Sequence, residues 1–318
     1  MFTPETDQCI ASLGEAGLIQ RISDWLGPTS PDAPEGMGDD CAVNSCTNSK
    51  KQLLTTDSLT YRRHFDDSIR ADEAGAKLIK RNLSDIAAMG GTPGPALLSL
   101  LSGPDLCIQW LEDFIYGIRE TCEQYQIKLV GGDVSELSKG QFSAVLTQTG
   151  HAEHPVLRSG ASLGDAIYVT GSLGGSILKK HYAFEPRLKE GDWLANSGVC
   201  SAMMDLTDGL AKDLRELIPN NCSARLNRSA IPISDDAKLL EGNPLEHAFC
   251  DGEDYELLFT TSRQEEDSKL EQRWEEEFPN VQLTKIGTIG PYTGGSTYVD
   301  AVTEEALPWQ KGFEHLSI

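Results

Sequence analysis

The spacing of apolar residues alternates along the chain between the period of strands and the period of helices. The run QLLTTD at 52–57 is rich in residues that favour strands, and it predicts a strand that ends in polar residues. Over 72–89, Leu78, Leu83 and Ile86 recur at helical spacing. Because both periods occur repeatedly, the pattern predicts a mixed α and β protein.

The same periodicity assigns further elements. Helices are predicted over about 105–126, 209–217 and 263–278, and strands over 127–130, 142–150, 164–171, 255–260 and 281–290. A length of 318 residues exceeds the usual size of one domain. The polar stretch HAEHPVLRSGAS therefore predicts a boundary near residue 150, with domains over 1–150 and 151–318.

The charge balance is strongly acidic, with 27 Lys and Arg against 49 Asp and Glu and a formal net charge of −22. This sign disfavours nucleic acid and anionic membrane surfaces as partners, because both would be repelled. A polyphosphate substrate is anionic as well. A protein that handles one with this composition needs divalent cations to offset the charge.

The N-terminus has no basic start followed by an apolar run, so no secretory signal is predicted. No stretch approaches the roughly 20 apolar residues of a membrane helix. The 8 cysteines include no CxxC pair, and a disulfide framework is not expected in a chain with a core of its own. We therefore expect a reduced, cytoplasmic protein.

Six short patterns place Asp beside Gly, Ser, Thr or Glu. Taken singly, each fits a turn or a helix cap, and Thr207-Asp208 before an apolar helix fits a cap of this kind. The patterns are GDD (38–40), TTDSL (55–59), NLSD (82–85), GGD (131–133), DLTDG (205–209) and DGEDYEL (251–257).

Three of these aspartates look functional from their predicted positions. On a helical wheel Asp85 lies at the edge of the apolar stripe, beside Asn82, with Lys77, Lys80 and Arg81 expected on the other side. A carboxylate aimed at the core is costly unless a cation or hydrogen bonds compensate it. Asp57 and Asp133 are each predicted to end an apolar strand, where α/β proteins gather ligand groups.

Oxygen ligands from Asp and Thr, without a His or Cys cluster, suit Mg²⁺ and not zinc. Bound metals would bridge to phosphate oxygens and orient them for in-line transfer. The sequence has no GxxxxGK[ST] loop and no protein-kinase HRD and DFG set. The glycine-rich loop over 170–176 fits either a backbone anion site or an ordinary turn.

Taken in order, these motifs resemble the thiamine-monophosphate kinase family, which shares a superfamily with aminoimidazole-ribonucleotide synthetase and selenophosphate synthetase. The resemblance spans residues 38–315. It implies an α+β fold of two domains, an N-terminal domain that forms a homodimer and a C-terminal α+β domain, with ATP and metals in the cleft between domains. The matching stretches are GDDCAV, TTDSLTYRRHF, KLIKRNLSDIAAMGGTP, LVGGD, RSGASLGDAIYVTGSLG, MMDLTDGL, DGEDYELLFT and WQKGFEHL.

The resemblance further implies ATP- and Mg²⁺-dependent phosphorylation of thiamine monophosphate to thiamine diphosphate by direct transfer, with several Mg²⁺ ions and no side-chain nucleophile. The implied Mg²⁺ ligands are Asp40, Thr55, Thr56, Asp57, Asp85, Asp133, Asp205 and Asp208. The implied ATP contacts are Tyr116, Gly132, Asp133, Arg158 and Thr207, and the implied thiamine-phosphate contacts are His64, Glu253 and Phe313.

Apart from the resemblance, His64 also fits a surface histidine and Phe313 a core anchor near the C-terminus. The chain departs from the family at Thr207, where serine is common, and in a shorter segment over 175–205. Two alternatives stay open. One is another ATP-dependent synthetase of the superfamily, of selenophosphate or aminoimidazole-ribonucleotide type. The other is a non-catalytic module that binds divalent cations.

Overall fold

The computed structural model describes residues 1, 3, 5–29, 51–262, 267–309 and 312. The chain divides into two compact units. The first domain comprises Met1–Ile86 and Thr92–Glu153, and the second comprises Ala87–Gly91 and His154–Ile318. None of the helices in the described part of the chain has both the length and the apolar character that crossing a bilayer requires.

The first domain contains a four-stranded sheet in the order β1-β4-β2-β3, in which only the β2–β3 pair is parallel. The strands are β1 (Lys51–Thr60), β2 (Thr92–Ser102), β3 (Leu129–Glu136) and β4 (Phe142–Ala152). The helices are α1 (Gly14–Leu26), α2 (Ala71–Ala88) and α3 (Ile108–Gln124).

Helices cover one face of this sheet. Along β4, buried and half-buried residues alternate, so Phe142 and Leu146 point to one side. Phe114 of α3 packs edge-on against Phe142 with ring centroids 5.3 Å apart. On the opposite face, which we call the outer face, Leu54 and Leu97 are 68% and 44% exposed.

The predicted strands and helices of this domain are confirmed, but the predicted strand ends are wrong. β1 continues to Thr60 and β3 to Glu136, so Asp57 and Asp133 lie inside their strands. Pairing with β4 and β2 supplies backbone hydrogen bonds beyond Asp57 and Asp133, and the polar residues therefore stay extended.

The second domain contains a six-stranded sheet in the order β10-β7-β9-β5-β8-β6. Its strands are β5 (Ala166–Thr170), β6 (Cys200–Asp205), β7 (Cys222–Leu226), β8 (Leu257–Thr261), β9 (Leu283–Pro291) and β10 (Tyr298–Asp300). Its helices are α4 (Lys180–Ala183), α5 (Leu188–Ser197), α6 (Leu210–Leu217), α7 (Pro244–Cys250) and α8 (Asp267–Glu277).

Both faces of this second sheet are covered, because every residue of β5 and β8 is buried. Tyr168 stacks on Phe259 within a cluster on one face. Val169 and Leu258 belong to a second cluster on the other face. Central strands buried on both sides explain the nearly continuous apolar runs AIYV and LLF.

Candidate active site

A stripe of charged side chains on α2 faces β1 and the loop after it. Lys77 Nζ donates to the carbonyl oxygen of His64 at 2.8 Å. One turn later, Arg81 donates to the Ser58 carbonyl oxygen at 2.7 Å and lies 3.1 Å from the Asp57 carboxylate. Spacing of four residues along a helix brings these side chains onto neighbouring turns of one face.

The stripe ends at Asp85, whose carboxylate accepts a hydrogen bond from the Thr55 hydroxyl. Asp57 lies two residues beyond Thr55 on β1, so both point to the helix-covered face of the sheet, where Asp85 also lies. We call Thr55, Asp57, Arg81 and Asp85 the first-domain cluster. The predicted inward position of Asp85 agrees with this contact.

The predicted position of the basic residues is wrong. Lys77 is fully buried, Lys80 is 9% exposed, and the Arg81 side chain is 12% exposed, so none of them forms a solvated face. Burial of Lys77 and Arg81 is compensated by backbone carbonyls, and Arg81 also pairs with Asp57. The four-residue interval from Arg81 to Asp85 is the sequence signal that indicates a shared face.

Two of the predicted metal ligands lie on the outer face of the same sheet. Side chains alternate along a strand, so Thr56 points away from the side occupied by Thr55 and Asp57. Asp133 pairs with Ser99, which pairs with Val145 on the outer face. Asp133 is exposed and accepts a hydrogen bond from Ser135 at 3.0 Å.

Asp40, the remaining first-domain candidate, lies outside the described residues. Among the residues that the structure describes, no three His, Cys, Asp or Glu side chains converge closely enough to hold a metal ion. The first-domain cluster offers two carboxylates and a hydroxyl. This donor set suits a Mg²⁺ that completes its shell with phosphate oxygens and water.

Tyr116 and Gly132 have structural contacts of their own. The Tyr116 hydroxyl donates to Glu112 at 2.9 Å, which raises the pKa of this hydroxyl, and the Arg119 guanidinium lies over its ring. A Cβ at Gly132 would approach the Leu98 carbonyl oxygen to 1.7 Å. Glycine at this position is therefore required by the pairing of β3 with β2.

His64 lies half-buried in the loop after β1. Its Nδ1 accepts a hydrogen bond from the Thr60 backbone N–H at 2.9 Å, which places the proton of the neutral ring on Nε2. Lys77 holds the carbonyl of the same residue. The ring and the backbone of His64 are thus both fixed.

In the second domain, the DLTDG segment begins at the last residue of β6. Asp205 is 2% exposed and ends the strand, and Asp208 pairs with Lys212 at 2.6 Å. The backbone of this segment bonds to the DGEDYEL segment, since Glu253 N–H donates to the Thr207 carbonyl at 2.8 Å. The two acidic motifs therefore form one backbone unit.

The N-terminus of α6 is capped differently from the prediction. Gly209 occupies the N-cap position without a side-chain hydrogen bond. Instead, Oδ2 of Asp213 accepts the backbone N–H groups of Thr207, Asp208 and Gly209 at 2.9, 3.0 and 3.1 Å. Burial raises the pKa of Asp213 to about 7 although these hydrogen bonds oppose the shift. An acidic residue in the first turn of a helix is the available sequence signal.

The glycine-rich loop also binds carboxylates of the chain itself. Gly174 N–H donates to both oxygens of Asp254, at 3.0 and 3.1 Å, and Gly175 N–H donates to Asp251 at 2.9 Å. Of the two predictions for this loop, these bonds favour an ordinary turn, because its N–H groups are satisfied internally. Burial raises the pKa of Asp254 to about 7.

Glu253 lies in a cluster of polar and aromatic side chains. Tyr255 donates its hydroxyl to Glu253 Oε1 at 3.1 Å, and His181 Nδ1 lies 3.5 Å from Oε2. Phe184 stacks on the Tyr255 ring with centroids 3.8 Å apart. Glu253 and Tyr255 both have positive φ angles, of 62° and 50°, a costly backbone conformation for residues other than glycine.

Glu256 directly precedes β8 and is held by three side chains. It lies 2.9 Å from Lys180 and 2.7 Å from Arg187, and it accepts the Thr170 hydroxyl at 2.7 Å. Burial alone would raise the pKa of Glu256, but Lys180 and Arg187 outweigh it and the pKa is lowered. Sequence reasoning missed Lys180, Arg187 and His181, because their partners lie about 70 to 80 residues away.

Two predicted ligands of this domain remain. Arg158 is exposed in the loop before β5. Phe313 lies outside the described residues, but its neighbour Gly312 is described: a Cβ there would approach the Asp208 carbonyl oxygen to 2.1 Å. The WQKGF motif thus touches the DLTDG segment at Gly312.

Comparisons with known proteins agree with this architecture. The model for the N-terminal domain of AIR synthase related proteins matches residues 38–152, and the model for their C-terminal domain matches 162–300. A crystal structure of thiamine-monophosphate kinase from Stenotrophomonas maltophilia K279a superposes with a TM-score of 0.74 at 29% identity, covering 93% of this chain and 98% of that one. The protein is therefore a two-domain α+β protein of the AIR synthase-related class, as expected.

Relatives with higher sequence identity identify the family within this class. A thiamine-monophosphate kinase from Rhodopirellula baltica is 35% identical over 277 residues, which cover 83% of this chain and 86% of that protein. A structure of AaThiL complexed with AMPPCP and TMP is 31% identical with a TM-score of 0.68, covering 94% and 97% of the two chains. The chain belongs to the thiamine-monophosphate kinase family, and the family resemblance predicted from the motifs is confirmed.

Proposed function

We propose that the protein transfers the γ-phosphate of ATP to thiamine monophosphate and produces thiamine diphosphate and ADP. The observation that carries this proposal is the first-domain cluster, in which the Thr55 hydroxyl bonds to the Asp85 carboxylate and Asp57 lies on the same face of β1, paired with Arg81. These are the hard oxygen ligands that Mg²⁺ prefers. The AMPPCP and TMP complex of a relative that is 31% identical supports the choice of both substrates.

A phosphate oxygen of thiamine monophosphate attacks the γ-phosphorus of ATP, and the bond to the β–γ bridging oxygen breaks. The attacking oxygen is anionic at neutral pH, so no strong general base is needed. Positioning and electrostatic stabilisation supply most of the acceleration in such transfers. When bound, Mg²⁺ neutralises phosphate charge, which a chain of net charge −22 would otherwise repel.

We assign the Mg²⁺ ligands to Asp57, Asp85 and Thr55 in the first domain, and to Asp205 and Asp208 in the second. Thr207 would contact ATP, and Glu253 and His64 would contact thiamine monophosphate. The remaining roles implied by the family motifs stay predictions. They concern Asp40, Thr56, Asp133, Tyr116, Gly132, Arg158 and Phe313.

We also propose that the first domain forms a homodimer through its outer face. Leu54 and Leu97 expose large apolar side chains there, which a partner copy would cover. Light scattering on a Leu97→Glu variant should then report a shift toward the monomer. Leu239→Glu in the second domain, where the leucine is 76% exposed, serves as the control and should not change the mass.

All six described cysteines are free thiols, which supports a cytoplasmic location.

The test of the activity is incubation with ATP, Mg²⁺ and thiamine monophosphate, followed by separation of thiamine diphosphate. Free thiamine and aminoimidazole ribonucleotide precursors serve as substrate controls. No product from thiamine monophosphate, or equal product from free thiamine, would overturn the assignment. Metal binding without any turnover of ATP would favour the non-catalytic alternative.

The role of the cluster is tested separately. Asp57→Asn and Asp85→Asn should each lower turnover at saturating Mg²⁺ by roughly 100-fold or more, because each removes a charged metal ligand. Asp24→Asn, an exposed aspartate on α1, is the matched control and should retain activity. Near-normal turnover in either cluster variant would contradict the metal assignment.

A further inference from the structure

We propose that Asp213 is a positioning residue for phosphoryl transfer, which holds the DLTDG segment in the conformation that presents Thr207 and Asp208 to the nucleotide and its metal. The family resemblance assigns no role to this residue. The inference rests on the proposed function for the identity of the ligand. Its geometric basis does not depend on that function.

The geometric basis is one buried oxygen that accepts three consecutive backbone N–H groups. Oδ2 of Asp213 lies 2.9 to 3.1 Å from the nitrogens of Thr207, Asp208 and Gly209, and the residue is 3% exposed. Three donors converging on a single acceptor fix the direction of three successive peptide planes. No surface aspartate with one neighbour could constrain a loop to this extent.

The opposite side of the segment is fixed by the DGEDYEL segment. Leu206 N–H donates to the Glu256 carbonyl at 2.9 Å, and Glu253 and Tyr255 N–H groups each donate at 2.8 Å to the carbonyls of Thr207 and Leu206. Thr207 therefore has both its N–H and its carbonyl engaged within the protein. Only its side chain is left to act on a ligand.

This arrangement determines how the segment can recognise phosphate. Consecutive N–H groups at the start of a helix often bind phosphate directly. Here the Asp213 carboxylate occupies the position that such an anion would take. The segment must therefore act through the Thr207 hydroxyl and through cations bound by Asp205 and Asp208. Loss of the Asp213 carboxylate would leave three N–H groups without their acceptor. The side chains of Thr207 and Asp208 would then no longer be held in fixed positions.

The experiment compares two substitutions of similar volume. Asp213→Asn keeps an oxygen at the same position, whereas Asp213→Leu removes every acceptor. Asp300 provides the matched control in the same domain, because its Oδ1 accepts the Val302 and Thr303 N–H groups at 2.8 and 2.9 Å and the residue is also 3% exposed. For each variant, thermal unfolding, kcat, the KM values for both substrates, and half-saturation by Mg²⁺ are measured.

We expect Asp213→Leu to raise the half-saturating Mg²⁺ concentration and the KM for ATP by at least about tenfold, as loss of a residue that orients ligands commonly does. In Asp213→Asn, which keeps an acceptor oxygen, both values should lie within about threefold of those of the wild type. The KM for thiamine monophosphate should change least. Asp300→Leu should lose stability without a shift in either nucleotide or metal half-saturation.

Three outcomes would overturn the proposal: a folded Asp213→Leu protein with normal Mg²⁺ and ATP half-saturation, failure of Asp213→Asn to rescue, or an equal shift in Asp300→Leu. If Asp213→Leu does not fold, Asp213→Glu, which keeps the charge and moves the oxygen by one methylene, replaces it and should show the same shift. Calorimetric binding of Mg·AMPPCP gives a readout without turnover. Wild-type binding without thiamine diphosphate formation would refute the proposed function while leaving the role of Asp213 testable.

Discussion

The guanidinium of Arg81 lies 3.1 Å from the carboxylate of Asp57, across the interface between α2 and β1. Their side chains are 12% and 27% exposed, so the pair is largely shielded from water. Arg81 thus compensates an acidic residue that we assign to metal binding. A metal ion that binds Asp57 has to compete with this arginine or share the carboxylate with it.

This competition gives a first prediction. Arg81→Met should lower the unfolding free energy by roughly 1–3 kcal/mol, below the ~3–5 kcal/mol of a fully buried pair because this pair is partly exposed. Millimolar Mg²⁺ should raise the melting temperature of this variant more than that of the wild type, because Asp57 has lost its cation. Differential scanning fluorimetry with and without Mg²⁺ measures both.

Arg225→Met, which breaks a pair with Glu304 in the second domain, is the control for this measurement. It should show the same Mg²⁺ response as the wild type. An equal Mg²⁺ response in Arg81→Met and wild type would show that Asp57 does not bind the metal.

The Arg81–Asp57 pair also shows what the sequence can and cannot predict. The helix over 71–88 follows from its apolar spacing, and Asp85 is correctly predicted to face inward. The burial of Lys77 and Arg81 does not follow, because their partners are backbone carbonyls of β1 and its loop. A hydropathy pattern treats lysine as a surface residue and contains no information about such partners.

The predicted strand ends are wrong for a related reason. β3 extends through GGDVSE because β2 lies beside it, and Gly132 permits the close approach of the two backbones. An isolated GGD resembles a turn, and only the neighbouring strand makes it extended. The family motifs therefore predicted the function better than the local hydropathy pattern predicted the geometry of the residues in those motifs.

A second prediction concerns the two adjacent glycines of β3. Gly132→Ala should destabilise the protein by about 3 kcal/mol or more, because its Cβ would approach the Leu98 carbonyl oxygen to 1.7 Å and backbone atoms cannot easily yield. Gly131→Ala meets only the Leu97 side chain, at 3.2 Å, and should be tolerated. Chemical denaturation of the two variants tests this. Equal stability would mean that Gly132 is not required for strand pairing.

A third prediction concerns pH. Burial raises the folded-state pKa of Asp254 to about 7, above its ordinary value of 3.8. The folded protein therefore holds this proton more strongly than the unfolded chain, and the stabilising effect is complete below pH 3.8. The stabilising effect is lost as the pH rises from 3.8 toward 7. Above pH 7 the contribution of Asp254 to the unfolding free energy no longer changes with pH.

Asp254→Asn, which mimics the protonated carboxyl, isolates this effect. The unfolding free energy of the wild type minus that of the variant should fall between about pH 4 and pH 7 and stay flat above. Urea denaturation at several pH values gives this difference. A constant difference across that range would show that Asp254 is ionised throughout in the folded protein.

A fourth prediction links the strained DGEDYEL segment to the acceptor substrate. The Tyr255 hydroxyl donates to Glu253 at 3.1 Å while its ring stacks on Phe184 at 3.8 Å. Tyr255→Phe keeps the stacking but releases the carboxylate that we assign to thiamine monophosphate. Loss of one hydrogen bond to a charged group should raise the KM for thiamine monophosphate by about three- to tenfold.

The KM for ATP should not change in Tyr255→Phe, because the contacts that fix the DLTDG segment are backbone bonds that the substitution preserves. Tyr292→Phe, where the ring is 48% exposed, is the control and should leave both constants unchanged. Steady-state kinetics with each substrate varied in turn separates the two effects. A rise confined to the KM for ATP would reverse the roles that we assign to the two acidic motifs, since Glu253 would then serve the nucleotide.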